Sequence, residues 1–306
     1  MDQAETLREM KKRGRDTSGD GMLPAKPGEK DISGRKSDGI RVIAITSGKG
    51  GVGKTNIATN LAYILSKMQK RTLVFDADMG LANIDVILGL APKYNLYHVL
   101  RGEKNLSEIV LQGPGGIKIL PAASGIQEMT DLTKGQKLAL LDELNQLSDE
   151  LDFMLIDTAA GIAGNVIYFN MAAREIIVVV SPEPTSITDA YALIKILYAR
   201  HAGNKFMLLV NMVKNATEAR EVYNKLSNAT SHFLNLSIEY LGYVLDDHSV
   251  QDAVRKQQAL AEVYPGSRAC KCLSSIARKL CRLQPGGYEA GSIKFFWKSI
   301  VDRDRG

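Results

Sequence analysis

Gly48-Lys49-Gly50-Gly51-Val52-Gly53-Lys54-Thr55 is the stretch on which the reading of this chain turns. It fits the spacing G-x-x-x-x-G-K-[ST] at every position. An apolar run over 42–46 precedes it, and a helical pattern starts at Asn56. That strand–loop–helix setting is the one the motif requires. Glycines allow a tight loop whose amides converge on phosphate oxygens. The helix N-terminus adds partial positive charge. The pattern predicts that Lys54 bridges the β- and γ-phosphates of a nucleotide and that the Thr55 hydroxyl ligates Mg2+. Gly48, Lys49, Gly50, Gly51, Val52, Gly53 and Asn56 complete the expected cradle.

Outward from this loop, short apolar runs alternate with amphipathic stretches. Strands are predicted over 41–46, 72–76, 117–120, 153–157, 176–180, 206–211 and 238–244, with helices over 56–68 and 138–151 among those between them. The runs are almost continuously apolar, as strands covered on both faces are. Strand–helix alternation predicts an α/β fold: a mostly parallel, twisted sheet with helices on both faces. A polar helical stretch over 246–262 and a last body helix over 267–283 follow.

Composition narrows the function classes. A chain of 306 residues with 45% hydrophobic residues suits one large domain with tails. No run approaches the ~18 apolar residues of a membrane span, and the charged N-terminus is no secretory signal, so a cytoplasmic protein is expected. The three cysteines, Cys270, Cys272 and Cys281, make neither a disulfide framework nor a zinc pattern. The net charge of +5 is uneven: from Gly266 onward it is +6, and the remainder sums to −1. A basic end on a neutral body points to an anionic surface as partner.

Nucleotide hydrolysis needs a metal and an oriented water, and both need carboxylates at strand ends. Asp76 and Asp78 follow the second predicted strand, and Asp157 ends the 153–157 strand. In a parallel sheet those ends face the ligand crevice.

The spelling K-G-G-V-G-K-T, Lys49 to Thr55, resembles the deviant P-loop of the MinD/ParA/nitrogenase-iron-protein class. Phe75-Asp76-Ala77-Asp78-Met79-Gly80-Leu81-Ala82-Asn83-Ile84-Asp85 is similar to the first switch region of MinD. The resemblance covers about 40–261. It implies an ATP-sandwich homodimer in which Lys49 reaches the partner's nucleotide and takes part in catalysis with Lys54 and Asp78. Asp78 would orient the attacking water. Asp157 would hold Mg2+ through water, with Asp76 near the metal shell. Gly161 would sense the γ-phosphate. Asn211 and Asp246, with Asp247 next to it, would flank the adenine. The N-K-x-D string of guanine-specific enzymes is absent, so ATP and ADP are expected rather than guanine nucleotides.

The two ends refine this reading. Residues 1–39 are polar and rich in Gly, Lys, Asp, Ser and Pro, a composition expected of a flexible arm. Its start, Asp2-Gln3-Ala4-Glu5-Thr6-Leu7-Arg8, resembles that of the MinD-like flagellar-number regulators, FlhG/FleN/YlxH. There the string forms a short helix that stimulates the signal-recognition-type GTPase FlhF. The resemblance assigns that contact to Asp2, Gln3, Ala4, Leu7 and Arg8. Residues 284–291 have the composition of a linker, with Pro285, Gly286, Gly287 and Gly291. In 292–306, Ile293, Phe296, Trp297, Ile300 and Val301 follow a helical apolar stripe. The stripe resembles the amphipathic membrane-targeting helix of MinD-like proteins, which lies in the interface of an anionic membrane. Cytoplasmic protein that joins the membrane in its ATP state is therefore expected.

The function expected is a regulator of flagellar number or placement, with basal-body proteins as possible partners. The alternatives are a MinD-type regulator of cell division, or a ParA-type DNA-partition ATPase. Five buried hydrophobes gain nothing on nucleic-acid phosphates, which argues against DNA. An iron–sulfur carrier ranks last, since no cysteine precedes residue 270.

Overall fold

The computed structural model describes residues 40–78, 84–121, 143, 147, 150–200 and 203–283. The expectations for the arm, the linker and the terminal helix lie outside these residues.

The loop motif joins β1 (Arg41–Ser47) to α1 (Lys54–Lys67). All seven residues of β1 are buried, and alternate side chains go to opposite faces of the sheet. Ile43 and Ile45 join one core, while Val42 and Ala44 join another. This two-sided burial explains why the run reads as continuously apolar. At the far end of α1, Gln69 takes a left-handed conformation, φ 62°, and stops the helix.

The chain continues through β2 (Thr72–Ala77), the short helices α2 (Ile84–Leu88), α3 (Leu96–Leu100) and α4 (Leu106–Ile109), then β3 (Leu111–Gln112) and β4 (Lys118–Pro121). After these come β5 (Phe153–Ala160), α5 (Gly164–Ala172), β6 (Glu175–Val180), α6 (Pro184–Arg200), β7 (Lys205–Val213) and α7 (Ala216–Leu234). The described chain finishes with β8 (Glu239–Leu245), α8 (His248–Arg255), α9 (Leu260–Val263) and α10 (Arg268–Arg282).

The eight strands form one sheet in the order β3-β4-β2-β5-β1-β6-β7-β8. Every pairing is parallel except β3 with β4. The expected mostly parallel α/β sheet is what forms. On one face α1 and α10 pack with α9, drawing Leu61, Leu65, Leu273 and Ile276 into the core with Ile45 and Val179. On the other face α6 and α7 supply Leu193, Leu197 and Leu226 against Val178 and Leu208. The strand order reverses at β1, where β5 and β6 lie on either side, which opens a crevice at the strands' carboxyl ends.

Several boundaries differ from expectation. The predicted 246–262 helix is two helices, because Gln257 adopts φ 53° between α8 and α9. In the predicted 138–151 helix only Glu143 and Leu147 are described as helical, and Glu150 is already in a turn. Strand β7 runs two residues further than predicted, through an irregularity in its register between Val210 and Val213.

At the opposite end of the strands, a buried ion pair ties three elements together. Arg41 on β1 donates to Glu175 of β6 through Nε, 2.9 Å, and Nη2. Its Nη1 donates to the carbonyls of Leu280 and Leu283 at the end of α10. Both side chains are almost completely buried. Removing one member strands a charge out of water, so Glu175→Ala should lower stability by about 3–5 kcal/mol in urea unfolding. An Arg41→Met, Glu175→Leu double variant should recover most of that loss. Equal stability of wild type and Glu175→Ala would show that the pair does not clamp the fold.

Candidate nucleotide-binding site

The cradle is built from chain geometry first. Gly51 and Gly53 adopt φ 78° and 88°, conformations that favour glycine. Gly48 has a different reason to be glycine: a Cβ there would lie 2.2 Å from the Asp189 carbonyl group at the start of α6. At the other end of the loop, Asn211 of β7 donates through Nδ2 to the Val52 carbonyl, 2.8 Å. The loop is thus held between α6 and β7, and Ile57 N donates to Gly53 O at 3.0 Å to begin α1.

Parallel pairing brings the carboxylates together. Asp76 and Asp157 are register partners on β2 and β5, next to β1. Asp157 is only 1% exposed, and neither of its carboxylate oxygens has a hydrogen-bond partner among the described residues. Burial raises its pKa to about 7, and the charges of Asp76 and Asp78 add to the rise. The Thr55 hydroxyl and the Lys54 ammonium oppose it. Lys54, itself buried, has its pKa lowered by desolvation against the opposing charges of Asp157 and Asp78. Lys54, Thr55, Asp76, Asp78 and Asp157 therefore share one electrostatic neighbourhood. Asp76 also supports the backbone around it, since its two oxygens accept from the amides of Asp78, 3.1 Å, and Ile84, 3.3 Å.

Two buried carboxylates beside a hydroxyl and a lysine suit a hard divalent cation. Magnesium takes one or two carboxylates and fills the rest of its octahedron with phosphate oxygens and water. Among the described residues no three His, Cys, Asp or Glu side chains gather into a self-sufficient metal cage. The unpartnered oxygens of Asp157 fit a cation that arrives with its nucleotide.

Lys49 lies elsewhere. Its ammonium pairs with Glu183 and donates to Thr185 Oγ1 at 2.9 Å, both in the segment entering α6. Glu183 and Thr185 were not singled out in the sequence. The only signal was Ser181-Pro182-Glu183-Pro184-Thr185, a proline-flanked turn at the carboxyl end of a strand beside β1. Gly161 lies at the end of β5, with φ 92° and its amide donating to Ser47 O at 2.9 Å. Asp246 is exposed, and its amide donates to Val213 O. Asp247 instead joins two helices, accepting from Ser249 N at 3.0 Å and Ala269 N at 3.1 Å.

A family model described as an AAA domain matches residues 40–209, the span from β1 into β7. The chain is 44% identical to the antiactivator FleN of Pseudomonas aeruginosa over 86% of its own length and 94% of that protein. It is 37% identical to the flagellum site-determining protein YlxH of Helicobacter pylori, over 85% of this chain and 90% of that one. The chain belongs to the MinD/ParA family of ATPases, in its FleN/YlxH branch. Among solved structures, the MinD cell division protein of Aquifex aeolicus matches with a TM-score of 0.62 at 26% identity, covering 80% of this chain and 98% of that one. MinD of Pyrococcus furiosus superposes with a TM-score of 0.64 at 23% identity over 80% of this chain and 99% of that one, and shows the same fold.

For this FleN/YlxH-like chain the buried carboxylate makes a sign-definite prediction. Asp157 titrates near 7 in the metal-free fold and near 3.8 when unfolded. A raised carboxyl pKa favours the fold while protonated, so metal-free stability should fall as pH rises from about 4 to 7. The loss should be no more than about 4 kcal/mol. Asp157→Asn should flatten that dependence in denaturant titrations run in chelator. An unchanged pH profile would show that Asp157 is not the group responsible.

Proposed function

We propose that this chain is an ATP-driven, magnesium-dependent switch that regulates flagellar number or placement. The observation that carries the reading is its likeness, across most of their lengths, to YlxH, named as flagellum site-determining, and to the antiactivator FleN. The cradle supports the chemistry. Gly48 to Asn56 would wrap the phosphates, with Lys54 on the β- and γ-oxygens. Thr55 and Asp157 would hold the cation, Asp157 through water, with Asp76 next to them. When bound, magnesium offsets charge on the phosphate oxygens during transfer. MinD of Pyrococcus horikoshii, which shares the fold at 23% identity, was solved with Mg-ADP. Asp78 would orient the attacking water, and Asn211 and Asp246 would flank the base. Asn211 already spends its Nδ2 on the loop, which leaves Oδ1 as the acceptor open to an adenine amino group.

Dimerisation would follow from the nucleotide. Lys49 is paired within its own chain here, and the proposal has it exchange Glu183 for the partner subunit's phosphates. Two subunits would present two copies of the 292–306 stripe, and avidity would then couple the ATP state to membrane residence. The domain plan is that of the sequence: an activating arm over 1–39, the ATPase body over 40–283, a linker over 284–291 and the membrane helix over 292–306. The arm would stimulate an FlhF-type GTPase through Asp2, Gln3, Ala4, Leu7 and Arg8. Among the described residues no helix is long and apolar enough to cross a membrane.

A division-site regulator is the second reading, favoured by the likeness to Aquifex aeolicus MinD, solved also in complex with MinC at 28% identity and a TM-score of 0.61.

Two experiments test the switch and its role. Asp78→Ala should keep ATP binding and dimerisation but reduce turnover at least a hundred-fold in a phosphate-release assay; turnover at the wild-type rate would remove Asp78 from the water-positioning role. A peptide of residues 1–20 should raise GTP turnover by an FlhF-type GTPase, and substitution of Gln3 or Leu7 should cancel the effect. No stimulation by the peptide or by the full chain with ATP would move the role toward cell division.

A further inference from the structure

The nucleotide crevice occupies the carboxyl ends of the strands. The amino ends, roughly 20 Å away along six or seven residues of strand, carry a different chemistry. A pocket of about 430 Å³ opens there at the end of α1 and the start of β2 and β4, lined in part by Ser66, Lys70, Arg71, Gly116, Lys118 and Glu150. Two of its cations are already paired, Arg71 with Asp152 at 3.1 Å and Lys118 with Glu150 at 2.6 Å. Lys70 has no ion pair or hydrogen bond through its side chain among the described residues.

The pocket adjoins the carboxyl end of α10. Arg41 donates to Leu283 O at 3.3 Å, and its amide donates to Asp152 O at 3.1 Å. Asp152 in turn holds Arg71, which lines the pocket. Lys70 follows α1, whose Leu61 and Leu65 share one core with Leu273 and Leu280 of α10. Helix α10 buries Leu273, Ile276 and Leu280 and turns Lys271, Arg278 and Arg282 outward, all exposed. None of these three has an acidic partner among the described residues. Basic charge without internal partners is thus concentrated on α10 and at the rim of the pocket, at the root of the C-terminal tail.

We propose that this face, Lys70 at the rim of the pocket with Arg278 and Arg282 on α10, binds phosphate groups of lipids on an anionic membrane and forms a second attachment beside the tail. It rests on the reading that the protein associates with membrane. The continuation of the chain favours lipid over nucleic acid: residues 293–301 present an apolar stripe, which a bilayer interface accepts and a phosphate backbone does not. The apolar stripe would supply insertion and the body would supply charge recognition and orientation.

The test uses the full chain with Mg-ATP and co-sedimentation with two vesicle types, pure phosphatidylcholine and phosphatidylcholine with 30 mol% phosphatidylglycerol. The variant Lys70→Gln, Arg278→Gln, Arg282→Gln removes only side chains without ion pairs, so folding and lipid-free ATP turnover should be unchanged. Each basic side chain near an anionic surface contributes about five-fold to binding. The triple variant should therefore bind phosphatidylglycerol vesicles about ten- to hundred-fold more weakly and match wild type on phosphatidylcholine. Deleting 292–306 should weaken binding to both vesicle types and leave a salt-sensitive remainder on phosphatidylglycerol that the triple substitution abolishes. Wild-type binding by the triple variant would overturn the proposal. So would loss of its effect to duplex DNA alone, with vesicle binding intact, which would give the face to nucleic acid. A deletion without effect, beside a defective triple variant, would instead remove the anchor reading and keep the basic face. If wild type ignores both vesicles, the proposal fails.

Discussion

The site depends on a carboxylate sealed among strands. Asp157 is buried at the centre of the sheet, beside Asp76 and close to Asp78, with neither oxygen hydrogen-bonded among the described residues. An ionised group in that position is costly unless a cation offsets it. Lys54 and Thr55 relieve part of the cost, and a metal ion suits the remainder. The same arrangement explains why Lys54 and Asp157 shift in opposite directions while both are buried. Burial disfavours the charged form of each, a cost that nucleotide with its cation would offset.

The loop that faces this carboxylate is supported from both sides. Gly48 packs against the Asp189 carbonyl group so closely that no side chain fits, and Asn211 fixes Val52 from β7. Behind the loop, Asn60 on α1 bonds the carbonyl of Asn56 at 2.8 Å and accepts from the amide of Ala261 on α9 at 3.0 Å. One buried amide side chain therefore connects α1 with the helical layer that includes α10. The nucleotide end and the basic end of the body are parts of one packed structure.

The centre of this architecture was legible in the sequence because it obeys strong local rules. The motif 48–55 has one backbone solution, and the buried strands read as apolar runs that no amphipathic element imitates. Asp76, Asp78 and Asp157 could be read as neighbours because parallel strands deliver their carboxyl ends to one crevice. Weak local signals failed. Strand β3 has two residues, and α2, α3 and α4 have four or five, too short for a period to register. The break at Gln257 was hidden because glutamine seldom adopts positive φ; there its side chain packs by Gly89 and donates to the Val86 carbonyl. Glu183 and Thr185 were missed because their partner Lys49 lies more than 130 residues away. The capping duty of Asp247, which accepts from Ser249 and Ala269, left no mark in the sequence because Ala269 lies 22 residues away.

The clamp around Arg41 has a consequence for how the ends of the protein work together. Arg41 opens β1, and its guanidinium holds the carbonyl of Leu283 just beyond α10. The first strand and the last helix are therefore fastened to each other although more than 230 residues separate them. A change that loosens α10 would be felt at the start of β1 and, through Glu175, at the start of β6. One buried guanidinium thereby makes the final helix part of the sheet's own foundation.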